Sequence, residues 1–381
     1  CHSRALTNVR ATDTSVAFVS TNSITQGEQV GVLWSYLLRK GIKIHFAHRT
    51  FKWSNEASGK AAVYCVIVGF GLGDVKRKRL FDYENPKSEP REISVTNINP
   101  YLVDSADTVI TSRTVPLGLV PSMVKGNQPT DGGWLLFTPD EMEEHLAVEP
   151  EAKKFFRPII SAHEFLNGFE RFCLWLKDLD PSEWRRLPEV MKCVNGVREF
   201  RKLSKKAVTR KLAELPYLFA EIRQPDADFV LIPRHSSENR AFIPISFFSR
   251  DVIIADSCSA VPNATLYHFG VLTSTMHNAW MRQVCGRLES RYRYSNKLVY
   301  NNFPWPETPT DAQRQRVEQT AQGILDARAK FPEATLADLY DPLTMPKELL
   351  DAHRANDEAV DACYGKRRFK TELERLEFLF D

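Results

Sequence analysis

Apolar and polar positions change period several times within the first seventy residues. The run "VAFVS" (16–20) has the continuous apolar character of a buried strand, and "TNSITQGEQVGVLWSYLLRKG" continues with a turn and a helix-period segment that Gly41 closes. Two strand patterns follow, "IKIHFAHRTFKW" and "AAVYCVIVGF", joined by the polar "SNEASGK" at 54–60 as a β-hairpin. The predicted order is strand, helix, strand, strand, which is how a Rossmann-like sheet ends. No strand with a glycine-rich loop opens it, so the pattern predicts a chain that begins inside a domain, with Cys1 an arbitrary boundary.

Residues 71–100 are charged and polar and read as a connector. From 101 to about 235, short apolar runs ("TVITS", "GWLLFT", "DFVLIP") alternate with helical segments near 139–155, 161–178 and 204–215. "NRAFIPISFFSRDVIIADSCSAVP" predicts strands. "LYHFGVLTSTMHNAWMRQVCG" predicts one helix with Leu272, Met276, Ala279 and Trp280 on its apolar face and Gly286 as its stop. Beyond "FPWP", Thr310 or Asp311 caps a helix that shares Val317, Ala321, Ile324 and Leu325 on one face, and a second helix spans about 346–364. The tail is thus predicted to be a helical hairpin or small bundle. There is no internal repeat or low-complexity segment.

Composition narrows the class only a little. The 381 residues are 43% hydrophobic and 26% charged, ordinary values for a soluble globular protein, and no apolar run is long enough to span a bilayer. Seven cysteines, odd in number and never in a C-x-x-C pair, predict reduced thiols in a cytoplasm and argue against a zinc knuckle. His45 and His48 point to opposite faces of their strand, so no metal site is expected. Net charge is only +3, but residues 181–215 hold ten Lys/Arg against four Glu. That density suits phosphate contact, and equally a solvated helical face.

The segment "GRLESRYRYSNKLVYNNFPWP" (286–306) places Glu289, Arg291 and Arg293 at every second position, with Tyr292 and Tyr294 between them. On a strand this puts an acid and two guanidinium groups in one row. Arg in bidentate mode fits guanine O6 and N7, and a carboxylate accepts from cytosine N4, so the row suits a base-pair reader. The same triplet also suits a surface strand whose charges pair with neighbouring strands.

Six segments taken together resemble the MmeI-like family: "AFVSTNSITQGEQVGVLW" (17–34), "IHFAHRTFKWSNEASGKAAVYCVIVGF" (44–70), "RPIISAHEFLNGFERFCLWLKDL" (157–179), "SSENRAFIPISFF" (236–248), "LYHFGVLTSTMHNAWMRQVCGRLESRYRYSNKLVYNNFPWP" (266–306) and "DEAVDACYG" (357–365). These are single-chain type IIL restriction and modification proteins, in which an adenine-N6 methyltransferase precedes a target-recognition domain. The resemblance implies an α/β fold: the end of a Rossmann-like methyltransferase sheet over 1–75, an α/β target-recognition domain over 76–306, and a C-terminal helical segment over 307–381. The family layout also places an S-adenosylmethionine motif and an Asn-Pro-Pro-aromatic motif upstream, with an N-terminal nuclease. This sequence contains no Asn-Pro-Pro and no glycine-rich cofactor loop. The resemblance therefore implies S-adenosylmethionine for the whole enzyme, no tight cofactor binding and no catalytic residue in this chain, and no methylation or cleavage by it alone.

What the resemblance implies for sites is specific. Alkylating adenine N6 requires the base to leave the stack. Phe51 and Trp53, with Asn55 and Glu56 in the following loop, become the wall of a flipped-base pocket; Thr21, Asn22 and Ser23 either line it or cap the next helix. Glu289, Arg291 and Arg293 become base-edge readers in the major groove, with Ser257 a weaker contributor. Ser236, Ser237 and Arg240, and Arg201, Lys202, Lys205 and Lys206 in the basic block, become backbone contacts. The implied partner is double-stranded DNA, in a bacterial cytoplasm and with no membrane. Two other readings share these residues: a non-catalytic DNA-specificity module serving a separate subunit, and a phage-defence methyltransferase without a nuclease.

Overall fold

Two parallel strands of one sheet cannot be joined by a tight turn, and the first elements of the chain follow from that constraint. The computed structural model describes residues 15–53, 63–288, 290–365 and 369–381. Strand β1 (Val16–Thr21) leads through helix α1 (Glu28–Arg39) to β2 (Lys43–Trp53), and β3 (Val63–Gly71) returns between them. It is antiparallel to both, from Val16↔Phe70 to Thr21↔Cys65 on one side and from Lys43↔Gly71 to Trp53↔Val63 on the other. Helix α1 buries Val30, Trp34 and Leu37, one stripe at helical spacing. Its end is the glycine stop that the sequence predicts. Gly41 takes φ +81°, and the amides of Gly41 and Ile42 return to the carbonyls of Leu38 and Leu37, a Schellman closure.

The segment read as a connector is instead two further strands, β4 (Lys78–Asp82) and β5 (Arg91–Val95), giving the sheet order β1-β3-β2-β4-β5. Lys78 hides this from pattern reading. It is buried beside Leu80, its ammonium held by Asn97 Oδ1 at 2.6 Å and Asp74 at 3.0 Å, so a core-facing position carries a charged residue.

The described chain divides into two compact units. The first takes the chain up to Leu119, then Thr275–Thr310 and Val360–Asp381. Besides the sheet, it holds the helix Thr275–Val284, the hairpin Gly286–Leu288/Arg291–Arg293 and the helix Glu372–Phe380. Trp280 and Tyr101 both pack on Phe380, ring centroids 5.1 and 4.9 Å away.

The second unit comprises Val120–Ser274 and Asp311–Ala359. Its central strand Phe229–Pro233 is buried at every position, between Ser246–Phe248 and Cys258–Pro262. A second small sheet orders Ile253–Ile254, Phe156–Ile160, Phe172–Leu174 and Leu136–Phe137. The helical segment expected over 161–178 is therefore short: Gly168 at φ +71° ends the helix Ala162–Asn167, and Phe172–Leu174 enters the sheet. The long helix of this region is Pro188–Lys202, which packs Val190, Val194 and Val197 on Phe155, Leu174 and Trp184.

The single helix expected over 266–284 is two, Leu266–Thr273 and Thr275–Val284. Ser274 between them is extended (φ −69°, ψ 158°) and its hydroxyl donates to the Val271 carbonyl at 2.7 Å, a side-chain bond that competes with continuation of the helix. The tail helices form as Asp311–Ala329 and Lys347–Cys363. Asn356 Nδ2 donates to the Gly270 carbonyl at 2.8 Å, where a Cβ on Gly270 would meet Val317 at 2.6 Å.

Candidate nucleic-acid interface

In the first unit the arginine hairpin pairs Gly286↔Arg293, Arg287↔Tyr292 and Leu288↔Arg291. Directly opposed residues of an antiparallel pair share a face, so Leu288, Arg291 and Arg293 lie on one side and Arg287 with Tyr292 on the other. The outer side is exposed at both arginines, while Tyr292 and Tyr294 are buried at 8% and 2% exposure. Tyr294 hydrogen-bonds His277 Nε2 at 2.9 Å, and burial raises its phenol well above the usual range. The buried tyrosines thus fix which way Arg291 and Arg293 face. Glu289 lies outside the described residues.

The inner side carries Arg287, which pattern reading did not single out. Its guanidinium lies over the Tyr292 ring at 4.2 Å, donates from Nη1 to the Ser290 carbonyl at 2.8 Å, and donates from Nε to Gln26 Oε1 at 3.1 Å. Gln26 precedes α1. Its neighbour Gly27, at φ +63°, donates its amide to the Val284 carbonyl at 3.2 Å, and a Cβ there would stand 3.0 Å from Gly286 Cα. The strand-to-helix turn of the sheet and the root of the hairpin therefore touch backbone to backbone.

At the far end of β2, Phe51 and Trp53 lie on one side as predicted, ring centroids 6.1 Å apart, with Trp53 46% exposed. Phe51 stacks on Tyr83 at 5.5 Å, and His48 stacks on Phe81 at 4.2 Å while its Nδ1 meets Tyr83 Oη at 2.9 Å. Burial, and then the Arg79 charge, hold the His48 imidazole below its ordinary pKa, so it joins the aromatic layer as a neutral ring. His45 is engaged separately, with Nε2 on the Gly73 carbonyl at 2.6 Å. Asn55 and Glu56 lie outside the described residues. Thr21 and Ser23 bond each other through their hydroxyls at 2.8 Å, and Asn22 is buried in the turn after β1.

A cavity of about 180 Å³ opens in the same unit, lined by Gln26, Arg49, Tyr83, Arg282, Arg287 and Glu372 among others. Its cations are already engaged. Arg49 donates to Asp82 at 2.8 Å and Gln283 at 3.1 Å, and Arg282 grips Glu372 with two bonds of 3.0 and 2.9 Å. Burial alone would raise the Glu372 carboxyl, but the Arg282 charge and hydrogen bond outweigh it and hold it below the usual range.

The second unit carries the other predicted residues, and two of them are corrected. Arg201 is fully buried, and its five N–H groups donate to the carbonyls of Pro129, Thr130, Leu212, Leu215 and Leu218 at 2.7–3.0 Å. It holds the loops around its helix and has no donor left for a phosphate. Ser236 is also buried. Lys202, Lys205 and Lys206 are exposed, Lys202 in a 2.8 Å pair with Glu199. Ser237 accepts from the Asn239 amide at 3.2 Å, and Arg240 is half-buried. Ser257 Oγ accepts from the Ala162 amide at 2.9 Å.

The candidate site thus combines a strand–helix–strand unit with an antiparallel return strand, an aromatic row on β2 and an arginine hairpin rooted in the turn before α1. Residues 2–82 match the family model "MmeI, DNA-methyltransferase domain", 104–307 match "MmeI, target recognition domain" and 309–381 match "MmeI, C-terminal domain". The chain belongs to the MmeI family. It is 41% identical over 369 residues to DNA methyltransferase A of Bacillus subtilis (strain 168), covering 97% of this chain and 41% of that protein. It is similar in structure to the type IIL restriction-modification enzyme MmeI solved in complex with DNA, with a TM-score of 0.88 and 50% identity over 99% of this chain and 50% of that one. The chain thus spans about half the length of these relatives or less. Among the described residues no helix is long and apolar enough to cross a membrane.

Proposed function

We propose that this chain is the DNA-reading and base-holding portion of a site-specific DNA adenine-N6 methyltransferase of a restriction–modification system. The observation that carries the reading is the arginine hairpin, whose register, set by buried Tyr292 and Tyr294, presents Arg291 and Arg293 outward. Each guanidinium offers a planar fork matched to guanine O6 and N7, and Glu289 supplies the acceptor for cytosine N4. Phe51 and half-exposed Trp53 offer a stacking wall for an extruded adenine, with Asn55, two positions further in the sequence, as a third candidate. Lys202, Lys205, Ser237 and Arg240 supply donors for phosphate oxygens, and Ser257 assists readout.

Methyltransferases of this kind generally take the methyl group from S-adenosylmethionine. In this reading the chain alone does not bind that group tightly: in the turn before α1 a Cβ on Gly27 would stand 3.0 Å from Gly286 Cα, and Asn22 and Thr25 are buried. The chain's own part is to bind, orient and stack.

Selection of duplexes from a randomised library, at two salt concentrations, tests the reading. Enrichment of one motif supports it; salt-dependent binding with no enriched motif overturns it. In the enriched motif, 2-aminopurine at each adenine tests stacking. One position should brighten with wild type, and its signal should change with Trp53→Ala or Phe51→Ala; equal signals in all three proteins would remove the base-holding role.

A further inference from the structure

We propose that Arg287 is a positioning residue for specificity, which registers the base-reading turn of the hairpin against the methyltransferase sheet. The inference rests on the DNA-reading role proposed above. The hairpin has strands of three residues, too short to hold a fixed geometry alone, so the precision of anything it presents must come from what braces it. Arg287 is one such brace, beside buried Tyr292 and Tyr294. It sits one position out of phase with Arg291 and Arg293, on the inner face, where its guanidinium is fixed at three points: the Tyr292 ring beneath it, the Ser290 carbonyl in the segment joining the strands, and Gln26 Oε1. A planar fork held through two N–H groups and one face has no rotational freedom left.

The third partner gives the contact its consequence. Gln26 belongs to the turn between β1 and α1, and the Gly27 amide bond to Val284 ties the same turn to the root of the hairpin. The strand carrying Arg291 and Arg293 is therefore referenced to the sheet whose β2 bears Phe51 and Trp53. Reading and base holding share one frame, so the offset between the bases read and the base extruded is set by this contact.

The test compares the full chain as wild type, Arg287→Met, Arg287→Lys, Gln26→Met and Arg291→Ala. Each is titrated with the duplex enriched by wild type, with that duplex altered at single base pairs, and with unrelated duplex at two salt concentrations. Arg287→Met should keep its affinity for unrelated duplex and its salt slope, yet lose about tenfold in discrimination at several adjacent base pairs together. Arg287→Lys, which keeps the ring contact and loses the fork, should fall between. Gln26→Met removes only the far partner and should lose about threefold at the same positions, keeping the inference testable if Arg287→Met folds poorly. Arg291→Ala should lose discrimination at one base pair only.

Unchanged discrimination in Arg287→Met, or a loss confined to one base pair as for a direct reader, overturns the inference. So does a Gln26→Met protein indistinguishable from wild type. A wild-type chain that enriches no motif overturns the DNA-reading proposal and this inference with it, whereas a wild-type motif that Arg287→Met leaves intact overturns this inference alone.

Discussion

The arginine hairpin and the helix Pro188–Lys202 carry the same residue types to opposite ends. In the hairpin, alternation with Tyr292 and Tyr294 buries the rings and leaves Arg291 and Arg293 outside. In the helix, the position that looks most suited to phosphate, Arg201, points inward and is consumed by five carbonyls, while Lys202 beside it is exposed. Local density of positive charge does not distinguish the two cases. What decides is the phase of each position relative to the buried face, and whether backbone carbonyls converge on it.

The contrast can be broken most forcefully at Arg201. Replacement by methionine removes a buried guanidinium that five carbonyls share and should cost about 3–5 kcal/mol, against less than about 0.5 kcal/mol for Lys202→Met next to it. Denaturant titration of the two variants measures the difference; similar midpoints would mean that Arg201 is not the buried anchor described. The converse holds in the hairpin, where Arg291→Ala should leave stability unchanged and remove about 1–3 kcal/mol of discrimination at one base pair.

Acid tests the same role of burial through a histidine. His353 is buried in the second unit, with Nε2 on the Tyr340 hydroxyl at 2.9 Å and its ring stacked on Phe242 at 4.0 Å. Burial first, and then the Arg328 charge, hold its pKa well below the ordinary 6.5. The unfolded chain takes up this proton near pH 6.5 and the folded chain does not. Stability is therefore full above that pH and declines below it until the folded pKa is reached, by at most about 1.4 kcal/mol per pH unit for this group. Denaturant midpoints measured from pH 7 to 5 should fall for wild type and fall less steeply for His353→Gln. A smaller effect is expected from Lys202→Ala with Lys205→Ala: binding weaker by a similar factor on every duplex, and a salt slope lower by up to about two. A change confined to one sequence would contradict a backbone role.

Much of this molecule was legible in its sequence because local chemistry agrees with the fold. The Gly41 stop, the return strand after β2, the Phe51–Trp53 side and the alternation at 291–294 each follow from residues adjacent in the chain. The failures have a common cause in partners that are distant in sequence. Lys78 disguised β4 because its ammonium is satisfied by Asn97, 19 positions further on. Arg201 looked free because its acceptors lie at 129–130 and 212–218. Arg287 went unnoticed because only the register Arg287↔Tyr292 and the contact with Gln26 reveal its use, and Arg282 with Glu372 are brought together from 90 positions apart. The break at Ser274 was local, but a serine within an apolar helical pattern is too common to announce it.

The claim on which the rest depends is that the outer face of the hairpin reads bases, and it is tested most directly by exchanging its charges. The chain carrying Glu289→Lys with Arg291→Asp, selected against the same randomised duplex library as wild type, should enrich a motif that differs from the wild-type motif at one base pair. Enrichment of the unchanged motif by both proteins would place sequence readout elsewhere in the molecule.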